Sequence, residues 1–279
     1  MFRSTFGTKV AATDVLRGSP AGADPHGIRA ERHAAVAAAK GILLDWDGCV
    51  VVNNRILPAT RALLARHADK IVIVSNNSTH LPEQFSAFLA RAGLELPPSR
   101  ILLAGAAAVS WLALNSADER VLLLGSPQLR ALARQAGINV VRDNASMVIL
   151  MRDTRFSYTL LTRAVWALQR GGRLVVTNAD RTHPGQDGRL IPETGALLAA
   201  LTTCVPEVTP LMIGKPERML FEQACSVLGI DSSSAIMIGD NADTDIAGAM
   251  AVGIRSFHVS PAELEDHGAL VPPPLTTAA

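Results

Sequence analysis

The chain has 279 residues, 48% of them hydrophobic, a formal net charge of +1 and only 4% aromatics. That length and apolar content support one large or two modest domains around a sizeable core and exclude global disorder. The balanced charge and scarce aromatics exclude a basic field or stacking platform for nucleic acid and an acidic block for a basic partner.

Residues 1–38 have no clear period and are read as a flexible N-terminal extension; their weak Arg/Ser character leaves a transit peptide as the alternative. From Gly41 onward short apolar runs alternate with amphipathic stretches. The runs are Ile42 to Leu44, Ile71 to Val74, Ile101 to Leu103, Val121 to Leu124, Met147 to Leu150, Leu174 to Val176 and Ala235 to Ile238, with a shorter one at Leu211 to Ile213. Continuous apolar runs of this length suit strands buried on both faces. The stretches between them carry helix signals, with Pro82, Pro127 and Pro216 at first-turn positions and Gly93, Gly137, Gly171 and Gly229 at the stops. Such alternation predicts an α/β fold with parallel sheets and crossover helices. Residues 263–279, ending in PPPLTTAA, are read as a flexible tail. No GxGxxG or GxxxxGK[ST] motif supports a dinucleotide site or a Walker loop. No apolar run has the ~20 residues of a membrane span, so no membrane partner is expected. Cys49, Cys204 and Cys225 form no CxxC pair and leave one over in any disulfide scheme, which fits a reducing, cytoplasmic compartment.

Ligands of open α/β sheets collect at the carboxyl ends of the strands. Four such ends here present Asp45-Trp46-Asp47-Gly48, Ser75-Asn76-Asn77-Ser78-Thr79, Gly214-Lys215-Pro216 and Gly239-Asp240-Asn241-Ala242-Asp243-Thr244-Asp245. Phosphoryl transfer needs this set. A phosphomonoester dianion repels an attacking carboxylate, so positive charge must gather the two. Asp45 and Asp240 offer hard oxygens to Mg2+, and a lysine offsets the remaining charge. A second carboxylate can protonate the leaving alkoxide and later activate water. Lysine occurs only at positions 9, 40, 70 and 215 in an arginine-dominated chain, which makes Lys215 more informative than a surface cation. Taken singly, DxDG reads as an ordinary turn and GDNADTD as an acidic helix start, the role assigned to Asp243.

In order, LLDWDGCV, VSNNST, IGKPE and IGDNADTDIAGA resemble the four motifs of the haloacid dehalogenase-like phosphatases, subclass IIA, the NagD-like, 4-nitrophenyl and pyridoxal phosphatases, over about Gly41 to His258. The resemblance implies a Rossmann-like doubly wound core at 39–117 and 206–262, and an inserted mobile C2a cap at 118–205. By position it makes Asp45 the nucleophile and Asp47 the general acid/base, whose backbone carbonyl also meets the metal. Ser75 and Asn76 would bind the transferring phosphate, Asn77 would shape that loop, and Lys215 would neutralise charge. Asp240 would bind Mg2+, and Asp245 would orient metal waters or Lys215. The cap loop from Asn178 to Gly195 resembles the substrate-specificity segment, with Asp180, Arg181 and His183 as candidates; Glu193 stands where the family often has glycine. Trp46 and Cys49 are read as packing residues. Relatives often form homodimers through the cap. Alternatives are a phosphotransferase or mutase on the same scaffold, and a receiver-like or phosphate-binding module without turnover.

Overall fold

The computed structural model describes residues 25–116, 118–185 and 189–272. Helix α1 (Pro25–Ala38) leads into β1 (Gly41–Leu44), a small flap of β2 (Val51–Val52) and β3 (Arg55–Ile56), and α2 (Pro58–His67). Next come β4 (Ile71–Ser75), α3 (Pro82–Arg91), β5 (Ile101–Leu103) and α4 (Ala104–Asn115). A second β/α series follows: β6 (Arg120–Leu124), α5 (Pro127–Gln135), β7 (Asn139–Val140), β8 (Met147–Leu150), α6 (Tyr158–Gln169) and β9 (Arg173–Val176). The hairpin β10 (Thr182–Pro184) and β11 (Leu190–Pro192), α7 (Thr194–Cys204) and β12 (Leu211–Met212) complete it. The chain then returns through α8 (Arg218–Leu228), β13 (Ala235–Gly239), α9 (Ala247–Ala251) and β14 (Arg255–His258).

Two parallel five-stranded sheets result, ordered β14-β13-β1-β4-β5 and β12-β9-β8-β6-β7. Side chains alternate between faces along a strand. Ile42, Leu44, Ile71 and Ile73 therefore fill one core, while Leu43, Val72 and Val74 fill another. The second core also takes Leu123, Met147 and Ile149 from the second sheet, through α4 and α5, which pack together. The second sheet's other face, including Leu122, Val148 and Val176, is covered by α6 and α7. These are the parallel sheets with crossover helices that the alternating runs predict, in the doubly wound α/β form that the resemblance implies.

Three expectations change. Residues 25–38, placed in a flexible extension, form a helix with Ala35 and Val36 in the core, and Lys70 Nζ donates to the Val36 and Ala39 carbonyls at its end. The stretch 263–272, placed in a flexible tail, buries Leu264, Leu270 and Val271 in that same core. Residues 1–24 and 273–279 lie outside the described residues. The boundary after residue 205 also moves, because β12 pairs with β9 and so belongs to the second sheet.

Candidate active site

Strands β1, β4 and β13 lie side by side and parallel, so their carboxyl ends share one edge. Asp45 follows β1 directly, 6% exposed, its N–H donating to the Ile238 carbonyl at 3.0 Å. Lys215, 4% exposed, donates from Nζ to Asp45 Oδ1 at 2.5 Å and to Asp245 Oδ1 at 2.6 Å. Carboxylate oxygens of Asp45, Asp240 and Asp245 all lie within 4.8 Å of one another. Asp245 Oδ2 accepts from the Asn241 N–H at 3.1 Å, and His258 Nε2 contacts the Asp240 carbonyl at 2.8 Å. The structure thus brings Asp45, Lys215, Asp240 and Asp245 together, with Asp245 holding the lysine. Asn241 caps the following wide turn by accepting from the N–H groups of Asp243 and Thr244. Asp243 is exposed there, in keeping with its helix-start reading.

Burial pushes the Asp45 carboxyl well above its usual range, with Lys215 pulling the other way. Burial, followed by the charge of Asp245, pushes Asp240 up to about 6. Burial alone would lower Lys215; Asp245 and Asp45 overcome it and hold the ammonium above its ordinary value. Three carboxylates around one ammonium leave negative charge uncompensated. A hard divalent cation suits such an oxygen set.

Two glycines make room for this cluster. At Gly48, φ is +84°, and a Cβ would lie 2.0 Å from Asp240 Oδ2. At Gly239 a Cβ would lie 2.3 Å from Asp245 Oδ2. Trp46 packs on Phe85 with ring centroids 4.2 Å apart, and Cys49 is fully buried with its thiol raised by burial. Both are core residues, and Cys49 is unreactive.

Buried Ser75 accepts from the Asn77 N–H at 3.1 Å, and Asn77 Oδ1 accepts from the N–H groups of Thr79 and His80. The Asn76 side chain has structural partners. Its Oδ1 accepts from the Lys215 N–H at 2.8 Å, and its Nδ2 donates to the Lys215 carbonyl and to Asp180 Oδ2, both at 3.1 Å. The side-chain amide is committed to fixing Lys215 and Asp180, which leaves the backbone N–H as this residue's donor for a phosphate.

The second sheet supplies the opposite wall. Asn178 Nδ2 donates to the Asn76 carbonyl at 2.9 Å and its Oδ1 accepts from the Asp180 N–H at 3.1 Å. Asp180 is raised by burial against its bond from Asn76. Asp47 is solvent-accessible but sits in the crevice between the walls. Desolvation raises its carboxyl, against the charges of Lys215 and His183. His183 Nδ1 lies 2.7 Å and Arg152 Nε 3.2 Å from Glu193 Oε1, neither aligned as a hydrogen bond. Burial pushes Glu193 up to about 7, with Arg152 opposing. Arg181 is exposed, and its carbonyl accepts from the Glu193 N–H at 2.9 Å. Sequence reasoning missed Arg152; its position just after β8, at a carboxyl end of the second sheet, was the available signal.

Known proteins resemble this chain in sequence and fold. The profile for haloacid dehalogenase-like hydrolases matches residues 42–139, and a HAD-hydrolase-like profile matches residues 212–272. An acid sugar phosphatase of Staphylococcus haemolyticus is 30% identical over 224 residues, 79% of this chain and 84% of that one. The p-nitrophenyl phosphatase of Archaeoglobus fulgidus superimposes with a TM-score of 0.74 at 30% identity, covering 80% of this chain and 87% of the other. A glycerol phosphate phosphatase of Mycobacterium tuberculosis, solved in complex with magnesium, gives a TM-score of 0.75 at 26% identity over 81% of this chain and 69% of its own. The chain belongs to the haloacid dehalogenase-like hydrolases, and within them to subclass IIA, the phosphatases grouped with NagD and the 4-nitrophenyl phosphatases.

Proposed function

We propose that this phosphatase hydrolyses a small-molecule phosphomonoester in two half-reactions on Asp45, with Mg2+ as its cofactor. The observation that carries the reading is Lys215, whose ammonium is shared between Asp45 and Asp245 in a cluster that also contains Asp240. Relatives named for sugar phosphates, nitrophenyl phosphate and glycerol phosphate support a phosphomonoester over other substrates.

Asp45, Asp240 and the Asp47 backbone carbonyl would hold the cation, and the surplus carboxylate charge supports that fit. Bound there, Mg2+ would neutralise charge on the phosphoryl oxygens. An Asp45 oxygen attacks phosphorus as the ester P–O bond breaks, giving an aspartyl-phosphate. The departing alkoxide takes the proton of Asp47, whose raised carboxyl suits a general acid. Asp47, now ionised, takes a proton from water, which attacks phosphorus and releases phosphate and Asp45. Lys215 would hold the nucleophile close and favour its ionised form against burial, and the Ser75 hydroxyl would take a phosphate oxygen. The second-sheet unit, residues 118–205 with β12 added, would act as the C2a cap that excludes water, presenting Asp180, Arg181, His183 and Arg152 to the leaving group.

The test is phosphate release from 4-nitrophenyl phosphate with Mg2+, compared with Asp45→Asn. Release is expected from the native chain only, abolished by EDTA and restored by Mg2+. Equal release by the variant would overturn the nucleophile, and failure of Mg2+ to restore activity would overturn the cofactor. A panel of sugar, glycerol, glycolate, pyridoxal and nucleotide phosphates would rank the leaving groups.

A further inference from the structure

We propose that the second sheet carries a separate anion site, for a small organic compound bearing two phosphate groups. A cavity of about 240 Å3 opens at the β6–β7 edge, and none of its lining residues belongs to the cluster around Asp45. Five arginines line it: Arg130 and Arg134 on α5, Arg142 after β7, Arg155 before α6 and Arg163 on α6. Four chain segments therefore converge on one hollow with the same side chain.

Two of these cations are held. Arg130 donates to the buried Asp153 carboxylate at 2.6 Å and to the Leu123 carbonyl at 3.1 Å, and Arg163 Nε lies 3.2 Å from Asp143. Among the described residues no carboxylate pairs with Arg134, Arg142 or Arg155. Five guanidiniums against two carboxylates leave three positive charges in one cavity, in a chain whose formal net charge is only +1. Like charges gathered at the rim of one cavity, with Arg134, Arg142 and Arg155 all exposed, make a local positive field that draws in anions. Guanidinium forks bind paired oxygens of phosphate or carboxylate rather than a lone halide, and the greater charge of a phosphate suits three uncompensated cations.

The floor adds a second requirement. Leu122, Val140, Val141 and Leu160 line the same cavity, giving an apolar surface that inorganic phosphate cannot use. The volume lies below the roughly 300–1,000 Å3 of sites for drug-sized ligands. A compact carbon skeleton with a phosphate at each end satisfies charge, floor and size together. The cavity also adjoins the active-site wall along the chain. Asp153 Oδ1 accepts the Arg155 N–H at 3.0 Å, and Arg152 next to Asp153 is the residue that meets Glu193.

The test uses the full chain carrying Asp45→Asn, without metal, so that turnover cannot intrude and the result does not depend on the catalytic reading. Calorimetric titration with fructose 1,6-bisphosphate is compared between this protein and the same protein carrying Arg134→Gln and Arg142→Gln. The expected result is one binding event, weakened at least about tenfold by the double substitution and weakened further by salt. Inorganic phosphate at equal concentration is expected to compete poorly. Undiminished binding in the double variant would overturn the site, as would displacement by inorganic phosphate at equal concentration. Both arginines form part of an open cavity rim, so the fold should persist; Arg155→Gln, read in the same titration, guards against a misfolded double variant.

Discussion

Asn76 grips the backbone of Lys215 from both sides: its carbonyl oxygen takes the lysine N–H at 2.8 Å and its amide nitrogen donates to the lysine C=O at 3.1 Å. The carboxyl end of β4 thus fixes the main chain from which the buried ammonium projects. Asn76→Ala removes both bonds and leaves two peptide groups unpaired beside the site, at a cost of about 1–3 kcal/mol in stability. Because Lys215 would then be displaced from Asp45, kcat is expected to fall by roughly 10–100-fold with a smaller change in KM. Steady-state kinetics and denaturant titration check this, and an unchanged kcat would contradict it.

Asp47 is expected to matter in proportion to the basicity of the leaving group. An alkoxide must be protonated as it departs, whereas nitrophenolate leaves without help. Asp47→Asn should lower kcat/KM by about 10²–10⁴ for glycerol phosphate or a sugar phosphate. The loss for 4-nitrophenyl phosphate should be markedly smaller in the first half-reaction, as burst kinetics would reveal. Equal losses for both substrates would remove the acid role.

Glu193 sets a pH dependence of stability. Its carboxyl lies at about 7 in the folded chain against an ordinary 4.5, with burial the main cause. The folded state therefore favours the protonated form. That contribution is fully present below the unfolded value and is lost as pH rises through about 7. Glu193→Gln keeps the shape without the titration, so the fall in Tm between pH 5 and pH 8 should flatten in the variant. Parallel Tm curves for the two proteins across that range would refute the assignment.

Gly48→Ala tests the tight approach of the β1 turn to Asp240. The added methyl meets Asp240 Oδ2 at 2.0 Å, on a backbone at φ +84°. A cost of about 1–3 kcal/mol is expected from the backbone alone. Displacement of Asp240 should raise the Mg2+ concentration for half-maximal activity by roughly 10–100-fold. A magnesium titration at fixed substrate reads this, and an unshifted midpoint would argue against Asp240 as a ligand.

Much of this architecture was legible in the residues. The strands of both sheets are apolar on consecutive positions because both faces are covered, and Ile42-Leu43-Leu44 serves two cores at once. Asp45, Lys215, Asp240 and Asp245 were legible because chemistry sits at strand ends. Other elements hide for physical reasons. Edge strand β14, Arg-Ser-Phe-His, buries only Phe257, and the β10–β11 hairpin carries a proline in each strand. Helix α1 presents Ala35 and Val36 to the core beside a buried Arg32, so its apolar stripe is faint. Arg152 is one arginine among many until Glu193 and His183 fold against it. Asn76 reads as a phosphate ligand from its motif; only the fold reveals that Lys215 and Asp180 occupy its amide.

The short strand β12 ends one residue before the Gly214-Lys215 pair, and its ladder continues past it, with Ile213 N–H donating to Val176 at 3.0 Å and Gly214 N–H to Thr177 at 2.8 Å. Gly214 is thus tethered to the second sheet, while Lys215 beside it is held to the first by Asn76 and by the carboxylates its ammonium grips. Any rocking of one sheet against the other pulls on that ion pair. The Gly214–Lys215 pair is a strut across the joint, so a shift between the two halves bears directly on the charge cluster around Asp45.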